Sequence, residues 1–96
     1  MNPEHDTHIR VSARYTGRVQ GVGFRATATE TARGYEVTGF VTNEPDGSVH
    51  LEAQGLRNDV EGFLDAVRER MSTLIDGVSR LPLGLDREER GFEIRY

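Results

Sequence analysis

Residues 37–53 read VTGFVTNEPDGSVHLEA and carry two runs of alternating side chains around a turn. Apolar or small residues recur at every second position on both sides of Pro45-Asp46-Gly47, which is typical of strands with one buried face. Proline presets φ, aspartate bonds back to the main chain, and glycine accepts a positive φ. The pattern predicts a β-hairpin whose inward positions are Val37, Gly39, Val41, Val49, Leu51 and Ala53.

A strand, a glycine-rich loop and a helix precede the hairpin. Residues 9–16 alternate between apolar and polar side chains and predict a strand. Residues 17–25 read GRVQGVGFR, and their glycines indicate a main chain that turns tightly or approaches another group closely. Residues 24–33 predict a helix that ends at Gly34. Its expected inward side chains are Phe24, Ala28 and either Thr31 or Ala32.

A second helix and a weaker strand follow the hairpin. Residues 58–71 carry one apolar stripe at helical spacing, and Asn58 with Glu61 resembles a capping box. Residues 72–90 are the least informative stretch. Leucines and a valine over 78–85 favour a strand there, which Pro82 and Gly84 confine to the edge of a sheet. The stripe of the second helix comprises Val60, Phe63, Leu64, Val67 and Met71.

The element order is β-α-β-β-α-β with a short closing strand over 92–96, which is the split β-α-β or ferredoxin-like plan. We therefore predict an α+β fold with an antiparallel sheet of four to five strands and two helices on one face. Residues 9–96 form a single domain, and residues 1–8 are expected to be a solvated or disordered tail. The second helix should pack against the sheet face that carries Ile9, Val11 and Ala13.

Composition excludes several classes of chemistry. The chain has 96 residues and no cysteine, so it has no thiol nucleophile, disulfide or iron–sulfur ligand. All 12 basic residues are arginine, which excludes a Schiff-base lysine. The net charge of -4 argues against a nucleic-acid partner, and no stretch reaches the roughly 18 apolar residues of a membrane span. We expect a cytoplasmic monomer with neither a nucleic-acid nor a membrane partner.

The glycine-rich loop has the parts of an anion site. Small residues expose consecutive N–H groups, and the start of a helix adds about half a positive charge. Arg25 lies at that helix start, where a cation is disfavoured unless an anion compensates it. A guanidinium also binds phosphate through a bidentate fork. The alternative is a tight turn with a solvated Arg25.

Asn43 ends the first strand of the hairpin. In a right-handed β-α-β crossover the two strands are parallel and their C-terminal ends lie on the same side of the sheet, so Asn43 is expected near Arg25 and the loop. Its amide both donates and accepts hydrogen bonds and can hold a water molecule. The alternative is a turn-starting asparagine that bonds its own backbone.

The three histidines offer weaker signals. His5 and His8 have the spacing of a weak metal pair, but in a polar tail we expect them to be solvated, and we predict no metal site. His50 lies on the strand face opposite Val49 and Leu51, where an exposed or sheet-covered side chain is more typical than a general base.

Two stretches of the chain resemble a known family. Residues 17–25, GRVQGVGFR, and residues 39–49, GFVTNEPDGSV, closely resemble the two signature stretches of the acylphosphatases, and residues 91–96 are similar to that family's closing strand. The resemblance implies hydrolysis of a small-molecule acyl phosphate to a carboxylate and inorganic phosphate, with no metal or organic cofactor. It implies that Arg25 binds the phosphoryl group and that Asn43 positions the attacking water. The implied main-chain cradle is Gln20, Gly21, Val22, Gly23 and Phe24.

Two departures and two alternatives qualify the resemblance. Ala26 stands where the family more often has a bulky residue, which would loosen the pocket wall. Glu44 follows Asn43, and its carboxylate would repel a phosphate unless it points away, as strand alternation predicts. The alternatives are a non-catalytic module that binds phosphate or acyl phosphate in the same cradle, and a ferredoxin-like interaction module that uses its sheet face.

Overall fold

The computed structural model describes residues 7–96 and confirms the predicted order of elements. The first helix, α1, spans Phe24–Ala32, and the second, α2, spans Arg57–Arg70. The strands are β1 (His8–Gly17), β2 (Val37–Asn43), β3 (Val49–Leu56), β4 (Ile75–Leu83) and β5 (Phe92–Arg95).

The five strands form one sheet in the order β4-β1-β3-β2-β5. Strand β3 is antiparallel to both β1 and β2, so β1 and β2 run in the same direction. Strand β4 is antiparallel to β1 at one edge, and β5 is parallel to β2 at the other. The expectation of a purely antiparallel sheet was therefore wrong, because residues 84–91 carry the chain from one edge to the other and deliver β5 in the direction of β2.

The core lies between the sheet and the two helices. The predicted stripe of α2 is buried together with Val11 and Ala13 of β1, as expected. Phe63 is fully buried, and its ring centre lies 6.3 Å from that of Tyr35 and 5.2 Å from that of Phe92. Helix α1 buries both candidate residues at its end, together with the two other predicted inward side chains: Phe24, Ala28, Thr31 and Ala32.

Helix α2 does not begin at a capping box. Leu56 precedes it with extended φ and ψ of -61° and 144° and makes no side-chain capping hydrogen bond. The prediction for Asn58 was wrong because β3 passes directly into the helix, so the helix begins at Arg57. The N–H of Arg57 donates a hydrogen bond to the Thr7 carbonyl at 2.9 Å, which fastens this helix end to the start of β1.

The bounds of two predicted segments also differ. His8 pairs with Leu56 as the first residue of β1, one residue before the predicted start of the domain. Residues 1–6 of the predicted tail, with His5 among them, lie outside the described residues. Strand β4 starts and ends earlier in the chain than the predicted stretch 78–85. Its position at a sheet edge is confirmed.

Residues 84–91 cross the sheet face opposite the helices and are fastened there by polar contacts. Arg10, only 6% exposed, donates two hydrogen bonds to the Glu89 carboxylate, at 2.8 and 3.0 Å, and also pairs with Glu52 at 2.8 Å. Burial opposes the ionisation of Glu89, but the hydrogen bonds and charge of Arg10 prevail, so the pKa of Glu89 is lowered. This outer face is therefore polar and partly covered.

Candidate active site

Residues 18–23 form the loop between β1 and α1, and two glycines shape it. Gly21 and Gly23 have φ of 74° and 82°, whereas Val22 between them has a negative φ. A Cβ at either glycine would meet no atom within 4 Å, so the backbone conformation, and not lack of space, requires glycine. Alternation of this kind gathers main-chain N–H groups into a concave anion site. Within residues 7–96, none of the N–H groups of residues 20–24 donates a hydrogen bond.

Two buried side chains hold the ends of this loop. Val19 and Phe24 are 1% and 2% exposed, and the Phe24 ring centre lies 4.9 Å from that of Tyr15. Burial raises the pKa of Tyr15 to about 12, so its ring is neutral at pH 7 and serves as packing surface. The Gly23 carbonyl accepts the first helical hydrogen bond, from the Thr27 N–H at 2.9 Å. The loop therefore leads rigidly into the positive end of α1.

Arg25 and Asn43 line the same cleft, which has a volume of about 200 Å³. The structure thus brings together the two side chains that the crossover topology predicted to be neighbours. Three of the predicted main-chain positions line this cleft with them, whereas Gln20 and Val22 do not. The remaining lining residues are Val19, Gly21, Gly23, Phe24, Ala26, Ile94 and Tyr96.

The Asn43 amide does not close the turn that follows it. That turn is closed by the Glu44 N–H, which donates to the Ser48 carbonyl at 2.9 Å, and by Asp46 Oδ1, which accepts the Ser48 N–H at 2.9 Å. Oδ1 of Asn43 is buried and accepts no hydrogen bond from the described part of the chain. A buried acceptor without a partner is costly unless a ligand or water supplies one. Asn43 thus lines the cleft with an amide oxygen that has no partner in the described part of the chain.

Tyr96 is a site residue that sequence reasoning missed. The guanidinium carbon of Arg25 lies 4.8 Å from the centre of the Tyr96 ring, and both side chains line the cleft. The alternation of Phe92, Ile94 and Tyr96 was a signal that these residues share one face. The direction of β5 was needed to place that face beside Arg25.

Gln20 is the second contact that the sequence did not reveal. Its side-chain Nε2 donates to the Glu44 carbonyl at 2.7 Å and to the Ser48 carbonyl at 2.8 Å. The sequence assigned only main-chain atoms of this residue to the site. The side chain instead joins the loop to the turn that follows Asn43.

A family model described as Acylphosphatase matches residues 11–94. The chain belongs to the acylphosphatase family. An acylphosphatase of Salinibacter ruber is 56% identical over 66 residues, which cover 69% of this chain and 70% of that relative. An acylphosphatase of Oceanobacillus iheyensis is 37% identical over 91 residues, 93% of this chain and 98% of the relative.

A solved structure agrees with this family membership. The crystal structure of acylphosphatase from Bacillus subtilis superimposes with a TM-score of 0.82 at 28% identity and covers 92% of this chain and 99% of that one. As an acylphosphatase family member, the protein is an enzyme that acts on small acyl phosphates. The enzymatic interpretation is thereby preferred over the two non-catalytic alternatives.

The two departures from the family's pattern have different outcomes in this acylphosphatase chain. Oε1 of Glu44 lies 3.4 Å from Nδ1 of His50, and His50 contacts the Ser12 hydroxyl at 3.1 Å through Nε2. The Glu44 carboxylate therefore lies with the half-buried His50 on the outer face, away from the cleft, as predicted. Ala26 lines the cleft and contributes only a methyl group to its wall.

Residues 7–96 contain no group of three histidine, cysteine or acidic side chains arranged to hold a metal ion. Neither of the two helices in that range has the length and hydropathy needed to span a membrane.

Proposed function

We propose that the cleft hydrolyses an acyl phosphate by direct attack of water, with Arg25 and the cradle binding the phosphoryl group and Asn43 positioning the water. The cradle is the main chain of residues 20–24. One observation carries the proposal: the Arg25 guanidinium, the Asn43 amide and loop residues with unpartnered N–H groups line one cleft of about 200 Å³; those loop residues are Gly21, Gly23 and Phe24.

Arg25 is available to a phosphate. Within residues 7–96 it forms no ion pair with a carboxylate, and the first turn of α1 contains no acidic residue. A cation at the positive end of a helix is uncompensated. The dianionic phosphoryl group of an acyl phosphate supplies the missing charge and accepts the guanidinium fork.

The reaction needs few protein groups because of its leaving group. Water oxygen forms the new bond to phosphorus, the bond from phosphorus to the acyl oxygen breaks, and its electron pair leaves with the carboxylate. A carboxylate has a low pKa, so no general acid is required. The water's proton passes to a phosphate oxygen. The protein supplies in-line placement of the water and fixed positive charge around the equatorial oxygens.

Competition between substrate and product tests this function. The purified protein should hydrolyse an aromatic acyl phosphate, followed by absorbance, and inorganic phosphate should inhibit competitively because it occupies the same cradle. Binding of phosphate without turnover would support the sensing module instead. Turnover that phosphate does not inhibit would contradict the assignment of the cradle.

We also propose that the protein acts as a cytoplasmic monomer without nucleic-acid or membrane partners. The net charge is -4, and the chain has no cysteine that would require an oxidising compartment. Sedimentation of the purified chain should give a mass near 10.8 kDa. A dimer mass would contradict the monomer.

A further inference from the structure

We infer that the Gln20 side chain is a positioning residue that sets the distance between the cradle and the water held by Asn43. This inference rests on the proposed function. The role belongs to the side-chain amide of Gln20. It is distinct from the role of the Gln20 main chain, which is part of the proposed cradle.

The geometry of the link is specific. The side-chain Nε2 of Gln20 donates to two carbonyls, those of Glu44 at 2.7 Å and Ser48 at 2.8 Å. These carbonyls lie at the two ends of the turn. The same turn is closed internally by the Glu44 N–H to the Ser48 carbonyl and by the Gly47 N–H to the Glu44 carbonyl, at 2.9 and 3.1 Å. The Gln20 side chain is therefore hydrogen-bonded to a closed turn whose first residue, Glu44, directly follows Asn43.

Within the described part of the chain, the Gln20 side chain is the only hydrogen-bonded link between the loop and this turn. No other hydrogen bond within residues 7–96 joins residues 18–25 to residues 43–48. The cradle keeps its own shape by other means, because Val19 and Phe24 bury both its ends in the core. Loss of the Gln20 side-chain amide should therefore leave the cradle formed but no longer hold it at a fixed distance from Asn43.

Phosphate binding and the chemical step depend on different groups, so loss of the link should affect them differently. Phosphate binding depends on Arg25 and the cradle, whereas the chemical step also requires the water in line with the bond that breaks. A misplacement of about 1 Å costs up to about 100-fold in rate. Removing the link should lower kcat strongly and change phosphate affinity far less.

The experiment compares Gln20→Leu with Gln54→Leu. Gln54 is a matched control because it too links distant segments by two hydrogen bonds, with the Asp86 main chain at 2.9 and 2.7 Å, but on the outer face. We expect Gln20→Leu to lose about 10- to 100-fold in kcat with a nearly unchanged inhibition constant for phosphate, and Gln54→Leu to keep kcat. Equal kcat in the two variants, or loss of phosphate affinity in proportion to kcat, would overturn the inference.

A second readout does not depend on turnover. In the parent and in Gln54→Leu, added inorganic phosphate should shift the Asn43 side-chain amide resonance in a ¹H–¹⁵N spectrum, and in Gln20→Leu that shift should disappear while the Gly23 amide still responds. A persistent Asn43 shift would overturn the inference. Gln20→Met, which is close in size, uncharged and without either donor, repeats the test if Gln20→Leu does not fold. A parent that binds phosphate without turnover refutes the proposed function alone, whereas one that does neither refutes both.

Discussion

The Arg25 guanidinium lies 4.8 Å from the centre of the Tyr96 ring. The ring follows β5, which is parallel to β2, while the guanidinium lies at the start of α1. The ring therefore lies against the cation within the cleft that both side chains line. Tyr96 is 97% exposed, so this contact is of the solvent-accessible kind, worth about 0.5–1 kcal/mol.

Tyr96→Leu should weaken inhibition by phosphate about two- to fivefold, because that factor corresponds to the energy of an exposed cation–π contact. Tyr96→Phe keeps the ring and should resemble the parent. The measurement is the competitive inhibition constant of inorganic phosphate. Parent-like inhibition of Tyr96→Leu, or equal weakening in Tyr96→Phe, would show that the ring does not orient Arg25.

Gly23→Ala should strain the cradle without any steric clash. Gly23 has φ of 82° and open space where a Cβ would stand, so the cost is that of a left-handed alanine, about 1–2 kcal/mol. Gly84→Ala is the matched control, because Gly84 has equal space and no positive φ. Gly23→Ala should have a lower free energy of unfolding in urea and a higher inhibition constant for phosphate. An unchanged Gly23→Ala would mean that its backbone conformation is not required.

Phe63→Ala should lower the free energy of unfolding by about 3–5 kcal/mol, as for large cavities in a packed core. The side chain is fully buried and contacts the rings of Tyr35 and Phe92. Leu81→Ala, at a position 65% exposed, should change the free energy by less than about 0.5 kcal/mol. Equal melting temperatures of the two variants would contradict the observed packing of α2.

Glu89→Gln should reduce the acid dependence of stability. The pKa of Glu89 is lowered from 4.5, so the folded state binds its proton less readily than the unfolded chain. Its contribution is complete above pH 4.5 and is lost as the pH falls through the folded-state pKa.

Acid titration of the unfolding free energy tests this direction. Glu89→Gln should be less stable than the parent at pH 7 by about 1.5–3 kcal/mol, the range for hydrogen bonds to a charged group, and the difference should shrink below pH 4.5. Glu88→Gln is the control, since Glu88 is exposed and forms no ion pair within residues 7–96. A difference that stays constant from pH 7 to acid would contradict the pairing of Glu89 with Arg10.

Features governed by local periodicity or by a topological rule were predictable from the sequence. The stripe around Phe63 followed from helical spacing, and the proximity of Arg25 and Asn43 followed from the handedness of a β-α-β crossover. The start of α2 was mispredicted because Asn58 has a good local capping pattern, while the helix grows directly out of β3.

Features that depend on distant partners could not be predicted. The direction of β5 depends on how residues 84–91 cross the sheet, and that path is fastened by Arg10 and Glu89, which are far apart in sequence. The Gln20 link depends on two carbonyls of the turn over 44–48. No sequence periodicity indicates either pairing, because both depend on the three-dimensional path of the chain.

The division of roles between Arg25 and Asn43 is measured most directly by Asn43→Ala and Arg25→Ala, assayed for turnover of an aromatic acyl phosphate and for phosphate binding by calorimetry. Asn43→Ala should abolish turnover and retain most phosphate affinity, because the cradle and Arg25 remain. Arg25→Ala should lose both. Parent-like turnover in Asn43→Ala, or phosphate binding retained in Arg25→Ala, would contradict the account.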